Sequence, residues 1–161
     1  MIVQDVMNTE IVSLPDATPF LQAVQFFLQH NIHGAPIIDN TGILVGVISE
    51  KDLLRALYPT SKDFYSHPEE YFLHDGMQES MDEAKHKQVK HIMNTQLVTA
   101  SPRMDIIKVG AIMVATGIHR MPVVDSRHTL IGMVSRHDIY KHIMKEQFHI
   151  MPATTHPLFS M

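Results

Sequence analysis

The sequence predicts an α+β fold in which two β-α-β-β-α repeats pack with pseudo-two-fold symmetry into one module. Residues 3–57 can be laid over residues 89–143 at a constant offset of 86 without a gap. Apolar residues follow the same order of strand-like and helix-like patterns in both segments. A chain of 161 residues suits two repeats that share one core, because a segment as short as one repeat is marginally stable alone.

The alignment of the two segments indicates a duplication. "VQDVMNTEIVSL" aligns with "VKHIMNTQLVTA", and "NIHGAPIIDNTGILVGVISEKDLL" aligns with "GIHRMPVVDSRHTLIGMVSRHDIY". Chance matching would not keep one register over such a length. The identical pairs include Met7/Met93, Asn8/Asn94, Thr9/Thr95, His33/His119, Pro36/Pro122, Asp39/Asp125, Gly46/Gly132, Ser49/Ser135 and Asp52/Asp138.

Each repeat is predicted to begin with a short helix and a strand, which in the first repeat lie near 3–7 and 11–14. A helix follows, with Thr18 as its N-cap and Pro19 in its first turn. The apolar residues of this helix recur at i, i+3, i+4, i+7 and i+8, which places them on one face: Phe20, Ala23, Val24, Phe27 and Leu28.

Two strands and a second helix complete the repeat. The runs Ala35–Asp39 and Leu44–Ser49 are rich in β-branched residues and are separated by the turn signal "NTG". The second helix is predicted from Glu50 to about Leu57. In the second repeat the corresponding strands are expected near 97–100, 121–125 and 130–135, and the helices near 105–116 and 136–146.

The predicted organisation has four parts: repeat 1 at residues 1–57, a helical acidic linker at 58–88, repeat 2 at 89–146, and an irregular C-terminal tail at 147–161. The linker contains a capping-box pattern at Ser66–Glu69 and a stretch of strong helix-forming composition after Gly76. The tail contains two prolines and shows no periodicity.

Composition excludes several classes of protein. The chain has no cysteine, which excludes disulfides, cysteine-ligated zinc and a cysteine nucleophile. The net charge of −4 gives no reason to expect nucleic acid as a partner. The N-terminus lacks a signal-peptide pattern, and the longest nearly apolar stretch, 109–118, is shorter than the ~20 residues that a membrane span needs. We therefore expect a cytoplasmic protein without membrane insertion.

Charge distinguishes the two repeats. Residues 3–57 contain six acids and two bases, a net charge of −4, whereas residues 89–143 contain seven bases and three acids, a net charge of +4. An anionic ligand should therefore prefer the side made by repeat 2. Alternatively, the opposite charges attract the repeats to each other, within one chain or between repeat 1 of one chain and repeat 2 of another.

Three motifs, each present twice, resemble a tandem pair of CBS domains, also called a Bateman module. They are the opening "DVMNTEIV" and "HIMNTQLV", the central "IHGAPIID" and "IHRMPVVD", and the closing "GVISEKD" and "GMVSRHD". The resemblance implies two clefts between the repeats that bind adenosine ligands. The expected ligand is AMP, ADP or ATP, which magnesium can accompany, and S-adenosylmethionine or NAD is a less favoured alternative. No cofactor is expected to be required.

The resemblance also implies which residues bind. The closing aspartate, Asp52 or Asp138, would hold the ribose hydroxyls, and Ser49 or Ser135 would lie near ribose or phosphate. A carboxylate can accept two hydrogen bonds from a vicinal diol, and free N–H groups at a helix start suit phosphate oxygens. The other reading of each Ser–Asp pair is a capping box, which is compatible with ligand binding.

The residues next to these motifs differ between the repeats. Repeat 1 offers Lys51 beside the acidic Glu50, whereas repeat 2 offers Arg136 and His137 at the same positions. Arginine binds phosphate through two parallel hydrogen bonds, and a glutamate would repel it.

The segment "IHRMP" adds His119 and Arg120, which resemble the His-Arg pair that contacts phosphate in the regulatory gamma subunit of AMP-activated kinase. Repeat 1 has Gly34 in place of Arg120. We expect the site around Asp138 to bind the more highly charged or tighter ligand, and the site around Asp52 to be weak or different. The remaining implied residues, which would meet the base, are Ala35, Pro36, Met121, Pro122, Val12, Ser13, Val98 and Thr99.

The functional prediction is a stand-alone regulatory module, homodimeric and not an enzyme, that signals through an effector protein. The sequence has no P-loop, no GxSxG and no HExxH motif, and its histidine spacings do not suit a metal site. The alternative is a ligand-free scaffold that docks a partner through its linker or tail.

Overall fold

The computed structural model describes residues 1–58, 66, 69 and 76–150, which fall into two compact units. The repeat-1 unit comprises Val12–Leu97 and Arg127–Leu130, and the repeat-2 unit comprises Met1–Ile11, Val98–Ser126 and the residues from Ile131 onward. The lead segment of each repeat, residues 1–11 or 88–97, therefore belongs to the unit built around the other repeat.

The repeat-1 unit contains a three-stranded sheet with helices around it. The strand order is β1-β2-β3, with β1 parallel to β2 and β2 antiparallel to β3. This confirms the predicted order of elements. The elements are β1 (Leu14–Pro15), α1 (Phe20–His30), β2 (Gly34–Ile38), β3 (Leu44–Ser49), α2 (Glu50–Arg55) and α3 (Gly76–Lys85).

The repeat-2 unit has the same order, except that the predicted first strand is not formed among its described residues. Instead of a strand near 97–100, Ala100 forms one isolated parallel bridge with Val123. The elements are α4 (Ile106–Thr116), β4 (Arg120–Val124), β5 (Leu130–Ser135) and α5 (Arg136–Phe148), and β4 pairs with β5. Leu130, the first residue of β5, groups with the repeat-1 unit.

The predicted cap of α1 is wrong. Pro19, in extended conformation, occupies the N-cap position, and Thr18 instead donates its hydroxyl to the Pro15 carbonyl oxygen at 2.7 Å. Thr18 is buried, so its hydroxyl closes the turn after β1 rather than the first turn of the helix. The equivalent helix α4 has a side-chain cap, because the Asp105 carboxylate accepts a hydrogen bond from the amide of Ile107 at 2.8 Å.

Other boundaries differ by a few residues. Strand β1 starts at Leu14, helix α2 ends at Arg55, and helix α5 continues to Phe148, into the segment predicted as tail. The helix predicted after Gly76 is confirmed as α3. The predicted capping box at 66–69 includes residues 67 and 68, which lie outside the described residues, as do 151–161.

Each unit has its own apolar core. In α1 the burial of Phe20, Ala23 and Phe27 confirms most of the predicted apolar face, with Val24 half-buried. The inclusion of Leu28 in that face is wrong, because Leu28 is 77% exposed. The repeat-1 core is Leu14, Phe20, Ala23, Phe27, Ala35, Ile37, Ile48, Leu53, Ala84 and Val89. The repeat-2 core is Val3, Ala100, Val109, Met113, Met121, Val123, Val134 and Ile139.

The lead segments are held by paired backbone hydrogen bonds. In the repeat-2 unit the amide of Asn8 donates to the carbonyl oxygen of Met133 at 2.8 Å, and the amide of Met133 donates back at 2.9 Å. In the repeat-1 unit Asn94 and Val47 exchange the same two bonds, at 2.8 and 3.0 Å. Each lead segment thus forms an isolated antiparallel bridge with β5 or β3, which satisfies backbone groups of that strand.

The duplicated Met and Gly residues belong to the same contacts. A Cβ atom placed on Gly46 would overlap Sδ of Met93 and lie 3.3 Å from the carbonyl oxygen of Asn94. A Cβ atom on Gly132 would lie 2.6 Å from Sδ of Met7. Glycine is therefore required where a lead-segment methionine crosses β3 or β5, which explains why both pairs are identical in the two repeats.

We predict that Gly46→Ala lowers the free energy of unfolding by about 1–3 kcal/mol, because the new methyl group overpacks against Met93. Urea denaturation measures the loss. The Met93→Ala variant supplies the control, since the same Gly46→Ala change should lose less stability in that background. Strictly additive effects of the two substitutions would contradict the proposed contact.

Candidate ligand-binding site

In the repeat-1 unit the structure brings together three of the segments predicted to bind. Leu14 pairs with Ile37 in parallel register, so Val12–Ser13 approach the sheet beside the start of β2. Gly34, the first residue of β2, pairs with Ser49, the last residue of β3. The β3–α2 junction, Ser49–Asp52, therefore lies next to the beginning of β2.

The repeat-2 unit has the same arrangement around the β5–α5 junction, Ser135–Asp138. The amide of Ala100 donates to the carbonyl oxygen of Pro122 at 2.9 Å, which brings Val98–Thr99 to the start of β4. The amide of Arg136 donates to the carbonyl oxygen of His119 at 2.9 Å. This bond fixes the first turn of α5 against the residue that precedes β4.

The Ser–Asp pair at each junction is a capping contact. The amide of Ser135 donates to Oδ2 of Asp138 at 2.9 Å, and the amide of Asp138 donates to Oγ of Ser135 at 3.1 Å. At the other junction the amide and the hydroxyl of Ser49 both donate to Oδ2 of Asp52, at 2.8 and 2.6 Å. The capping interpretation is confirmed, and it holds each carboxylate in one orientation.

The second carboxylate oxygen distinguishes the two junctions. Arg55 places Nη1 4.0 Å from Oδ1 of Asp52. Within the described part of the chain, Oδ1 of Asp138 takes part in no hydrogen bond or ion pair. The Asp138 carboxylate therefore keeps an acceptor for a ligand, whereas that of Asp52 already faces a cation from its own helix.

The charge near each junction also differs. At the β3–α2 junction Nδ1 of His33 lies 3.0 Å from Oε2 of Glu50, with 73% and 61% of the side chains exposed. At the β5–α5 junction, Arg120 and Arg136 are exposed. The β3–α2 junction thus presents Glu50 beside Lys51, whereas the β5–α5 junction presents two arginines suited to phosphate oxygens.

Further predicted residues at the β5–α5 junction are also exposed. The side chains of His119 and His137 are exposed, and so is Lys51 at the other junction. Val12 and Val98 leave apolar surface exposed beside their respective junctions. Such surface could cover one face of a nucleobase.

Four predicted residues can offer a ligand little more than backbone atoms. Met121 is completely buried in the repeat-2 core, and Pro122 is also buried. Ala35 and Pro36 are buried in the same way in the repeat-1 unit. Their predicted role in meeting the base therefore depends on the main chain, not on the side chains.

Sequence reasoning missed two contacts between a carboxylate and a basic side chain. The pair between Asp52 and Arg55 has i, i+3 spacing on a helix, which is a visible signal. The pair between His33 and Glu50 depends on the register of β2 against β3, which the sequence does not reveal.

The described segments contain neither a metal-binding cluster nor a membrane-spanning helix. Among these residues, no three His, Asp or Glu side chains cluster in a way that could hold a metal ion. No described helix combines the length and apolar character needed to cross a bilayer.

The pKa of Asp39 is lowered by hydrogen bonds, chiefly from Thr41. Asp39 closes the β2–β3 turn and is not one of the predicted site residues.

The duplicated junctions agree with a comparison to known families. The sequence profile of the CBS domain matches the chain twice, at residues 3–59 and 89–145. The chain belongs to the CBS domain family. It is a tandem CBS module, and the resemblance drawn from the three duplicated motifs is confirmed. A full-length relative, the uncharacterized protein MJ1426 of Methanocaldococcus jannaschii, is 30% identical over 150 residues, covering 86% of this chain and 89% of that protein.

Solved structures of similar fold are CBS pairs. CBSX2 from Arabidopsis thaliana, solved in complex with AMP, has a TM-score of 0.70 at 22% identity and covers 91% of this chain and 98% of its own. The CBS pair of protein MJ0100, solved with 5′-methylthioadenosine and S-adenosyl-L-methionine, has a TM-score of 0.65 at 23% identity, with coverages of 89% and 95%. These likenesses confirm the α+β fold of two CBS repeats.

We predict that Ser135→Ala lowers the free energy of unfolding by about 0.5–2 kcal/mol, because the first turn of α5 loses its cap. Ser135→Gly should lower the free energy of unfolding much less than Ser135→Ala does, since glycine is tolerated at an N-cap. Urea denaturation checks both values. Ser126→Ala, in an exposed turn, is the matched control, and an equal loss in that variant would contradict the capping role.

Proposed function

We propose that this CBS pair is a regulatory module that binds an adenosine nucleotide of the AMP, ADP or ATP class at the β5–α5 junction. The observation that supports this most directly is the Asp138 carboxylate. Ser135 holds one of its oxygens, while the other makes no hydrogen bond or ion pair with the described protein groups. A carboxylate fixed in this way can accept hydrogen bonds from the two hydroxyls of a ribose.

The groups around Asp138 suit the rest of a nucleotide. Arg120 and Arg136 are exposed cations that can form charge-assisted hydrogen bonds with phosphate oxygens. Helix α5 begins at Arg136, so its first amides add positive potential at the same place. The exposed surface of Val98 lies beside the start of β4, where a base could pack against it. A magnesium ion could accompany the bound phosphates.

The β3–α2 junction is proposed to be the weaker site. Both oxygens of Asp52 face protein groups, and Glu50 adds a negative charge where Arg136 stands in the other repeat. Any nucleotide bound there must displace Arg55 or approach Glu50. S-adenosylmethionine has no phosphate group, whereas AMP and NAD both do, so S-adenosylmethionine is the better alternative ligand for this junction.

The proposed role is regulation rather than catalysis. The Ser–Asp pair occurs at both junctions, which favours two related binding sites over one catalytic acid–base pair. The proposed role requires no cofactor. Binding would shift the population between two conformations of the module. We further propose that the module acts in the cytoplasm, where these nucleotides are abundant, as a homodimer that reports to an effector protein.

Paired titrations test the nucleotide site. Asp138→Asn should weaken AMP binding by about tenfold or more, because a hydrogen bond to a charged group contributes about 1.5–3 kcal/mol. Asp52→Asn is the matched control and should change the affinity much less. Isothermal titration calorimetry measures both, and thermal unfolding of each ligand-free variant checks that the fold is kept. Equal losses would contradict the assignment, and absence of binding by AMP, ADP and ATP would favour a scaffold.

A second variant separates phosphate recognition from base and ribose recognition. Arg120→Gly introduces the residue that repeat 1 has at the same position, and it should weaken ATP and AMP while leaving adenosine affinity nearly unchanged. The difference should shrink as salt is raised, because ionic contacts are screened. An equal loss for adenosine and for ATP would show that Arg120 does not contact phosphate.

A further inference from the structure

Met7 and Met93 cross β5 and β3 at the places where the lead segments pair with these strands. A Cβ atom on Gly132 would lie 2.6 Å from Sδ of Met7, and one on Gly46 would overlap Sδ of Met93. Each sulfur therefore occupies the space that a side chain on the strand would fill. The fit between sulfur and strand is part of what attaches each lead segment to its strand.

Both methionines are also within reach of small solutes. They are half-buried, whereas Met113 and Met121 are completely buried in the repeat-2 core. A close-packed core excludes solutes, so a small oxidant reaches a half-buried thioether first. The chain has no cysteine, and its methionine thioethers are therefore the sulfur groups that a peroxide can oxidise.

A carbonyl oxygen lies beside the sulfur in the repeat-1 unit. The carbonyl oxygen of Asn94 is 3.3 Å from the point that a Gly46 Cβ would occupy, and it accepts a hydrogen bond from the amide of Val47 at 3.0 Å. An oxygen atom added to the sulfur of Met93 would be a second acceptor, which repels this carbonyl and cannot bond to it. Oxidation would therefore strain the bond that fastens the lead segment to β3.

The repeat-2 unit has the same arrangement. The carbonyl oxygen of Asn8 is 3.4 Å from the point that a Gly132 Cβ would occupy, and it accepts a hydrogen bond from the amide of Met133 at 2.9 Å. Gly132 lies three residues before Ser135, the last residue of β5. Loss of this pairing would therefore loosen the strand that leads into the β5–α5 junction.

We propose that Met7 and Met93 are modification sites, where a peroxide oxidises the thioether to a sulfoxide and so detaches the lead segments from β5 and β3. The polar sulfoxide no longer fits against the glycine, because methionine in this form is larger and more polar than the thioether. The inference does not depend on the proposed nucleotide, since it concerns the attachment of the lead segments alone.

The oxidation step balances with hydrogen peroxide as the oxidant. A lone pair of the sulfur attacks one peroxide oxygen, the S–O bond forms as the O–O bond breaks, and the departing hydroxide takes the proton of the transferred oxygen to become water. The sulfur loses two electrons and the peroxide gains them. Methionine sulfoxide reductases reverse the step, as two thiols become a disulfide and the oxygen leaves as water.

Peptide mass spectrometry of the full chain after graded peroxide treatment tests the sites. Met7 and Met93 should gain one oxygen atom several-fold faster than Met113 and Met121. In the urea-unfolded chain all four should react at similar rates, which shows that the fold sets the order. Equal rates in the folded protein would overturn the assignment.

Hydrogen exchange measured by NMR tests the detachment. The bonds to follow are the β5 pair, formed by the amides of Asn8 and Met133, and the β3 pair, formed by those of Asn94 and Val47. Oxidised protein should exchange these amide hydrogens several-fold faster, while the amide of Val109 in the repeat-2 core keeps its rate. Treatment with both sulfoxide reductases should restore slow exchange.

Leucine variants separate oxidation of these two sulfurs from oxidation elsewhere in the chain. Leucine has a similar volume and no sulfur, so Met7→Leu and Met93→Leu should keep the fold, as circular dichroism and thermal unfolding check before treatment. After peroxide, Met93→Leu should protect the β3 pair alone, and Met7→Leu the β5 pair alone. Each variant is thus the matched control for the other.

Two further results would overturn the inference. One is sulfoxide formation at both methionines of the wild-type protein with no change in the exchange of either pair. The other is faster exchange of the β3 pair in Met93→Leu, or of the β5 pair in Met7→Leu, equal to that in the oxidised wild-type protein. Failure of the reductases to restore slow exchange would show that oxidation causes unfolding rather than a reversible detachment.

Discussion

The pairing of each lead segment with a strand of the other repeat is the constraint on which the rest of the structure depends. Asn8 bonds to Met133 in β5, and Asn94 bonds to Val47 in β3, through two backbone hydrogen bonds each. The crossing methionines require glycine on those strands. Because β5 and β3 end at Ser135 and Ser49, the same contacts also help to fix where the two junctions begin. The repeats are therefore interdependent, although each unit has a core of its own.

The capping geometry at each junction would also serve the proposed ligand binding. The serine fixes the aspartate, and a fixed carboxylate loses little entropy when it accepts further hydrogen bonds. What separates the two copies is the surroundings: Arg55 approaches Asp52, and Glu50 pairs with His33, whereas the equivalent positions near Asp138 hold Lys141 and Arg136. The two repeats thus share the backbone and capping geometry of the junction but differ in the charged residues around it.

Much of this architecture could be predicted from the sequence, because the duplication repeats every signal. The apolar spacing of α1, the strands around Pro36 and Pro122, and the capping boxes at Ser49 and Ser135 follow from local patterns. The exchange of lead segments could not be predicted, since the alignment of two repeats does not tell which repeat a segment packs against. For the same reason the sequence did not reveal the His33–Glu50 pair, which depends on strand register.

The central claim is that the β5–α5 junction is the principal nucleotide site. An NMR titration of the ¹⁵N-labelled protein with AMP tests it most directly, because each backbone amide reports separately. The account predicts that amides of His119, Arg120 and Ser135–Asp138 shift first and saturate at the lowest AMP concentration. Earlier saturation at His33, Gly34 and Ser49–Asp52, or no shift at either junction, would contradict it.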